Sequence, residues 1–172
     1  MDNVARLIGK FTARSDASVA SKLDALMDIE GLRDPRVVQF LLGVMTDHRE
    51  QVEVRVQALK RVRDRDPVDG PPEPAAAALM QVVHDSCQPL LRLHAALALA
   101  EFTDVIGVPA GLGAVARDPA VPLDIRYSAF TSLQRIGPTL ECVAFLRQLL
   151  ADDALGASAR SLLLSWRIVE LP

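Results

Sequence analysis

The sequence predicts an all-α protein, an α-solenoid of about five stacked helix pairs. Of its 172 residues 50% are hydrophobic but only 4% are aromatic, and a composition rich in alanine and leucine favours helix over sheet. Apolar residues also follow helical spacing, as at Val4, Leu7, Ile8 and Phe11. Finally, a short pattern recurs at intervals of about 34 residues. Together these observations favour repeated helix pairs.

We predict ten helices in chain order. They span residues 3–12, 17–30, 35–46, 51–63, 74–84, 89–102, 108–116, 122–136, 138–151 and 156–169. Pro35 and Pro74 suit the first position of a helix, because the amide hydrogen that proline lacks would have no helical partner there. Three more prolines precede or begin later helices: Pro89, Pro122 and Pro138. The seventh helix has the least regular sequence, because glycines and a proline interrupt it.

The chain length fits one domain, residues 1–172, which is long enough to bury a sizeable core. Residues 64–74 hold four prolines and a glycine and predict a loop. A linker between two domains is the alternative interpretation. We favour the loop, because the repeat register resumes directly after it.

Two columns of residues recur with the repeat. The cation column comprises Lys22, Arg55, Arg92, Arg126 and Arg160, and the turn-aspartate column comprises Asp16, Asp47, Asp85, Asp118 and Asp152. A lone Arg126 in phase with core residues could be a substrate clamp, but one cation in each repeat indicates a structural ladder. Its apolar stem can pack in the core while the guanidinium reaches a turn aspartate or a helix-terminal carbonyl.

The residues around the columns resemble the HEAT-repeat family, in particular its short bacterial form, related to the HEAT-like repeats of phycobilin lyases. The matching residues are Val54-Arg55, Leu91-Arg92 and Ile125-Arg126, with Asp47, Asp85 and Asp118 in the turns. The resemblance implies a right-handed solenoid whose second helices line a concave side. The family is defined by its fold and implies no single activity.

Charge and hydropathy exclude several kinds of partner. The net charge is −3 at pH 7, so we expect no nucleic-acid partner. One short basic run is present, with Lys60, Arg61 and Arg63. We interpret it as a solvated helix end, and a nucleic-acid site is the alternative. The absence of a leader pattern and of a long apolar run predicts no membrane partner and a cytoplasmic location. Cys87 and Cys142 are expected to be small buried residues in a reducing cytosol.

Motifs for catalysis or cofactor binding are missing. His48, His84 and His94 lack metal-ligand spacing, and His84 with Cys87 supplies too few ligands for zinc. Neither a Gly-x-Ser-x-Gly elbow nor a phosphate-binding glycine loop is present. We therefore expect no enzyme activity, no cofactor and no metal.

The predicted function is a non-enzymatic scaffold or adaptor that binds another protein in the concave groove. The predicted groove column is Gln57, Arg61, His94, Ala98, Ser128, Ser132, Leu162 and Trp166. Trp166 is the only tryptophan, a residue enriched in binding hot spots. For this one residue we favour the alternative that it caps the exposed core of the last repeat. An accessory lyase or maturation factor holding a chromophore or modified substrate is the second candidate, and a HEAT-like DNA-repair glycosylase the third. The helix at 89–102 is apolar nearly all round, which leaves a homodimer open.

Overall fold

The computed structural model describes residues 2–13, 18–64, 70–84 and 87–168, and the described chain is helical without any strand. The ten helices are α1 (Asn3–Thr12), α2 (Val19–Ile29), α3 (Pro35–Thr46), α4 (Val52–Arg63), α5 (Glu73–His84), α6 (Pro89–Ala98), α7 (Val108–Arg117), α8 (Leu123–Ile136), α9 (Leu140–Leu149) and α10 (Gly156–Ser165). The all-α prediction and the order of the helices are confirmed.

Short polar side chains begin several helices. Asp2 caps α1 by accepting the amide hydrogen of Val4 at 3.0 Å, and Asp34 does the same for Arg36 in α3 at 2.9 Å. Such caps bind amide groups that have no partner within the helix. Two residues determine the start of α3, because Asp34 caps the helix and Pro35 occupies its first position.

Most predicted boundaries lie within two residues of the observed ones, but the C-terminal ends of α6 and α10 shift by four: α10 is predicted to reach residue 169 and ends at Ser165. Helix α6 ends at Ala98 and a single 3₁₀ turn, Leu99–Glu101, follows it, so the α-helix is shorter than predicted. Helix α5 begins at Glu73, one residue earlier than predicted, which shortens the proline-rich loop at its C-terminal end. Residues 65–69 of that loop lie outside the described residues.

The packing divides the chain into two compact units, residues 1–94 and 95–172. In the N-terminal unit α1 packs on α2 and α3 on α4, while α3 also contacts α1 and α5, and α4 contacts α2. First helices of successive pairs therefore stack on one another, and so do second helices. Leu26, Met45, Leu59 and Leu79 are fully buried in this core.

The C-terminal unit repeats the same contacts: α7 packs on α8, α9 on α10, and α7 on α9. One of the glycines that weaken α7 in the sequence has a packing role. Gly113 is buried, and a Cβ atom there would lie far inside van der Waals contact with the ring of Phe145 in α9. The missing side chain lets α7 and α9 approach closely.

Candidate functional site

Three arginines of the cation column make the same hydrogen bond. The Nε–H groups of Arg55, Arg92 and Arg126 donate to the carbonyl oxygens of Met45, Val83 and Ala116, at 2.8, 2.7 and 2.8 Å. Each acceptor is the last residue but one of the preceding helix. Carbonyl groups in the last turn of a helix have no helical partner, so each arginine caps the first helix of its own pair, as cations near a C-terminus do.

Two members of the column also pair with an acid in the following repeat. The ammonium of Lys22 in α2 binds both carboxylate oxygens of Glu50, at 2.9 and 2.7 Å, and both side chains are over 90% buried. It also lies 5.8 Å from the ring centre of Phe11. Arg126 in α8 forms an ion pair through Nη2 with Asp152, in the turn after α9. These pairs connect one repeat to the next.

The turn aspartates bind backbone amides. Asp47 accepts the amide hydrogen of Arg49 at 2.9 Å, and Asp118 accepts that of Ala120 at 2.9 Å. Asp152 accepts two, from Ala154 and Leu155. An aspartate that bonds to the amide two residues ahead closes a turn. The aspartates therefore shape the turns, and no described aspartate pairs with the cation of its own repeat.

Three members of the predicted ladder are not seen to make the contacts of the others: one is exposed, and two lie outside the described residues. Arg160 is exposed and makes no side-chain hydrogen bond or ion pair with the described residues. The carbonyl groups of Leu149 and Leu150, at the end of α9, lie against Gly156 instead, so Arg160 does not cap α9. Asp16 and Asp85 lie outside the described residues.

Half of the predicted groove column is buried: Ala98, Ser128, Ser132 and Leu162 are at most 7% exposed. Ser132 Oγ donates to the carbonyl oxygen of Ala96 at 2.7 Å, and Ser128 Oγ donates to that of Asp124 at 2.8 Å. Both serines bond within their own unit, and all four side chains are covered by the packing of the second helices. They offer a partner little surface.

The other four positions, Gln57, Arg61, His94 and Trp166, are partly exposed. Trp166 ends α10, where its amide donates to Leu162. His94 in α6 has a lowered pKa, first because it is partly buried and then because the positive charges of Lys60 and Arg63 oppose its protonation. His94 therefore shares an electrostatic environment with the basic end of α4.

Gln57 and Arg61 line a cavity of about 390 Å³ between the end of α2, the turn after it, α3 and α4, which we call the α4 cavity. Its charged lining residues are Glu30, Arg33, Lys60, Arg61, Arg63 and Asp64. Arg61 Nη1 binds Glu30 Oε1 at 2.8 Å, while the buried Nε of Arg61 finds no hydrogen-bond partner in the described part of the chain. Leu32, Val38 and Leu41 supply apolar walls. The structure thus brings two predicted groove residues into one site.

Comparison with known proteins gives no relative: no family model matches the chain, and no curated protein is significantly similar to it.

Sequence reasoning missed two residues that matter here, Glu50 and Arg33. Glu50 stands three residues after the turn aspartate Asp47, and the equivalent positions of later repeats hold Gln88, Val121 and Leu155. No repeating signal therefore marks it. Arg33 lies in the turn after α2, and only the folded turn shows that it shares a cavity with the end of α4.

No group of three or more metal-ligating side chains lies together among the described residues. Within the same described ranges, every helix lacks the length and apolar character that crossing a bilayer needs. Cys142 is buried as expected, but Cys87 is exposed because it lies in the turn before α6, and neither forms a disulfide bond with a described residue. Burial, rather than the nearby Glu141, is the main cause of the raised pKa of Cys142, so this thiol is kept protonated and unreactive.

Proposed function

We propose that the protein is a non-enzymatic adaptor, a stack of HEAT-like helix pairs that binds another protein. The observation that carries the proposal is the recurring Nε–H bond of Arg55, Arg92 and Arg126. One bond, repeated at the repeat interval, is expected of a chain built from copies of one helix pair. Such chains work through extended surfaces whose residues vary while the packing between repeats stays constant.

The environment of Arg126 argues against the alternative of a substrate clamp. Arg126 is 7% exposed, and its Nε and Nη2 donors are engaged by Ala116 and Asp152. A clamp needs a guanidinium that a substrate can reach and that has donors to spare. We therefore assign the column to the fold and the partly exposed residues around α4 to binding.

Neither Cys87 nor Cys142 forms a disulfide bond among the described residues, which is consistent with a reducing, cytoplasmic setting for this adaptor. A partner inside the cell is part of the proposal.

Capture and reconstitution test the function. The tagged protein is used to capture partners in its native host, and each candidate is purified and titrated against the pure chain by calorimetry, after light scattering has established whether the chain is a homodimer. We expect saturable binding of a protein at fixed stoichiometry. Saturable binding of a chromophore, or of damaged DNA with base release, in place of any protein would overturn the proposal.

A further inference from the structure

The α4 cavity has a charge balance opposite to that of the chain. Counted over the described residues alone, its lining holds four cations and two carboxylates, an excess of two positive charges, whereas the whole chain carries −3. Arg63 is held by Asp64, whose oxygens bind its Nε and Nη2 at 2.7 and 2.9 Å. Lys60 makes no ion pair with a described residue. The cavity therefore has positive charge available for a ligand.

Arg61 is incompletely paired. Its side chain is only 12% exposed, and its buried Nε donor has no acceptor among the described residues. Its partner Glu30 is 66% exposed, so water competes with Arg61 for that carboxylate and weakens the pair. Cations at the end of α4 do complement the helix dipole, but that role leaves Nε unsatisfied. A carboxylate that replaced Glu30 and bound two guanidinium nitrogens side by side would satisfy the buried donor.

An apolar wall accompanies these cations. Leu32 and Val38 are partly exposed on the cavity, and Leu41 is buried beneath them. A free inorganic anion would leave this wall in contact with water. An aliphatic side chain next to a carboxylate would cover the wall and reach Lys60 and Arg61 together.

We propose that the α4 cavity recognises an acidic segment of the partner protein, in which Asp or Glu residues flank an aliphatic side chain. This inference rests on the proposed function, because it names the chemistry of the partner. A nucleic acid fits less well: no aromatic residue is among those that line the cavity in the described chain, so bases have no ring to stack on.

Peptide selection tests the proposal directly. Random peptides displayed on phage are selected on the full chain and then compared for binding to Lys60→Gln with Arg61→Gln and to the control Arg160→Gln. The control removes an exposed, unpaired cation from the other unit. We expect enriched peptides that carry Asp or Glu beside Leu, Ile or Val. Their affinity should fall about tenfold or more in the double variant and stay unchanged in the control.

Enrichment of peptides without acidic residues, no enrichment at all, or equal binding to the double variant would overturn the inference. Tighter binding of a labelled oligonucleotide than of any selected peptide would do the same. Circular dichroism checks that the double variant is folded; if it is not, Lys60→Gln alone gives the comparison. A captured partner that binds the double variant as tightly as the wild type would contradict recognition by the α4 cavity, while the proposed adaptor function would still hold.

His94 provides a second readout. Since the charges of Lys60 and Arg63 help to lower its pKa, a carboxylate bound beside them should raise that pKa. Titration of the His94 imidazole by NMR, with and without a saturating selected peptide, measures the change. A pKa of His94 that is unchanged or lower in the complex contradicts binding at this cavity.

Discussion

Arg126 in α8 binds Asp152 in the turn after α9, and the same guanidinium caps α7 through the carbonyl oxygen of Ala116. One side chain thus joins α7, α8 and the turn after α9 in the C-terminal unit. Asp152 in turn accepts two backbone amide hydrogens. The pair therefore links the packing of helices to the geometry of a turn.

We predict that Arg126→Ala lowers the free energy of unfolding by about 3–5 kcal/mol, because it leaves Asp152 and the end of α7 without their partner. The matched control is Arg160→Ala, which removes an exposed cation at the equivalent sequence position and should change stability by less than about 0.5 kcal/mol. Urea denaturation followed by circular dichroism measures both. Equal shifts of the two midpoints would show that capping by Arg126 does not stabilise the fold.

The pair of Lys22 and Glu50 gives a second stability test. Glu50→Gln leaves a buried ammonium without its carboxylate, so we expect a loss of about 3–5 kcal/mol. The control is Lys10→Gln, which breaks the ion pair with Asp28, where both side chains are at least 40% exposed; its expected cost is below about 1 kcal/mol. Denaturation curves in which Lys10→Gln is the more damaging variant would refute this assignment.

Replacing either of two helical glycines with alanine should change the stability of the fold, in opposite directions. Gly113→Ala forces a methyl group into the ring of Phe145 and should cost about 1–3 kcal/mol. Gly43→Ala, in an exposed part of α3 with no neighbour within 4 Å, should gain roughly 0.5–1 kcal/mol through helix propensity. Thermal unfolding of the two variants checks the contrast. A stabilised Gly113→Ala would mean that α7 and α9 are not in close contact.

The helices could be predicted because their signals are local. Pro35 and the repeat register located α3 and α7 within about one residue. The packing role of Gly113 was not predictable, because it depends on Phe145 in another helix. The cation column was visible as a period, and the carbonyl option for Arg126 was among the predicted roles. Its acidic partner was not predictable, because a period does not tell which repeat supplies it.

The predicted groove column illustrates a different limit. Positions at a fixed offset from the column share a face of a helix, but Ser132 is buried against Ala96 while Gln57 lines a cavity. Burial of a helix face depends on how many neighbours pack on it, and a single sequence does not contain that number. The α4 cavity also needs Arg33 from a turn, which no helical offset identifies.

Acid should weaken the C-terminal unit through Asp152. Hydrogen bonds from the amide of Leu155, followed by those from Arg126 and Ala154, lower the pKa of Asp152 below its ordinary value of 3.8. The stability that the carboxylate provides is complete above that value and is lost as the pH falls through the lower pKa of the folded state. The difference in unfolding free energy between wild type and Asp152→Asn should therefore be constant above about pH 5 and shrink below pH 4. A difference that is the same at every pH would contradict this role.

We infer that one set of cations stabilises the fold and that another set binds the partner. The direct measurement is a crossed comparison of Arg55→Lys and Lys60→Gln, with unfolding free energy and affinity for the purified partner determined for both. Arg55 is 2% exposed and caps α3, so Arg55→Lys should lower stability while the folded variant keeps the wild-type dissociation constant. Lys60→Gln should leave stability within about 0.5 kcal/mol and weaken binding about tenfold. A Lys60→Gln variant that binds as tightly as the wild type would contradict the account.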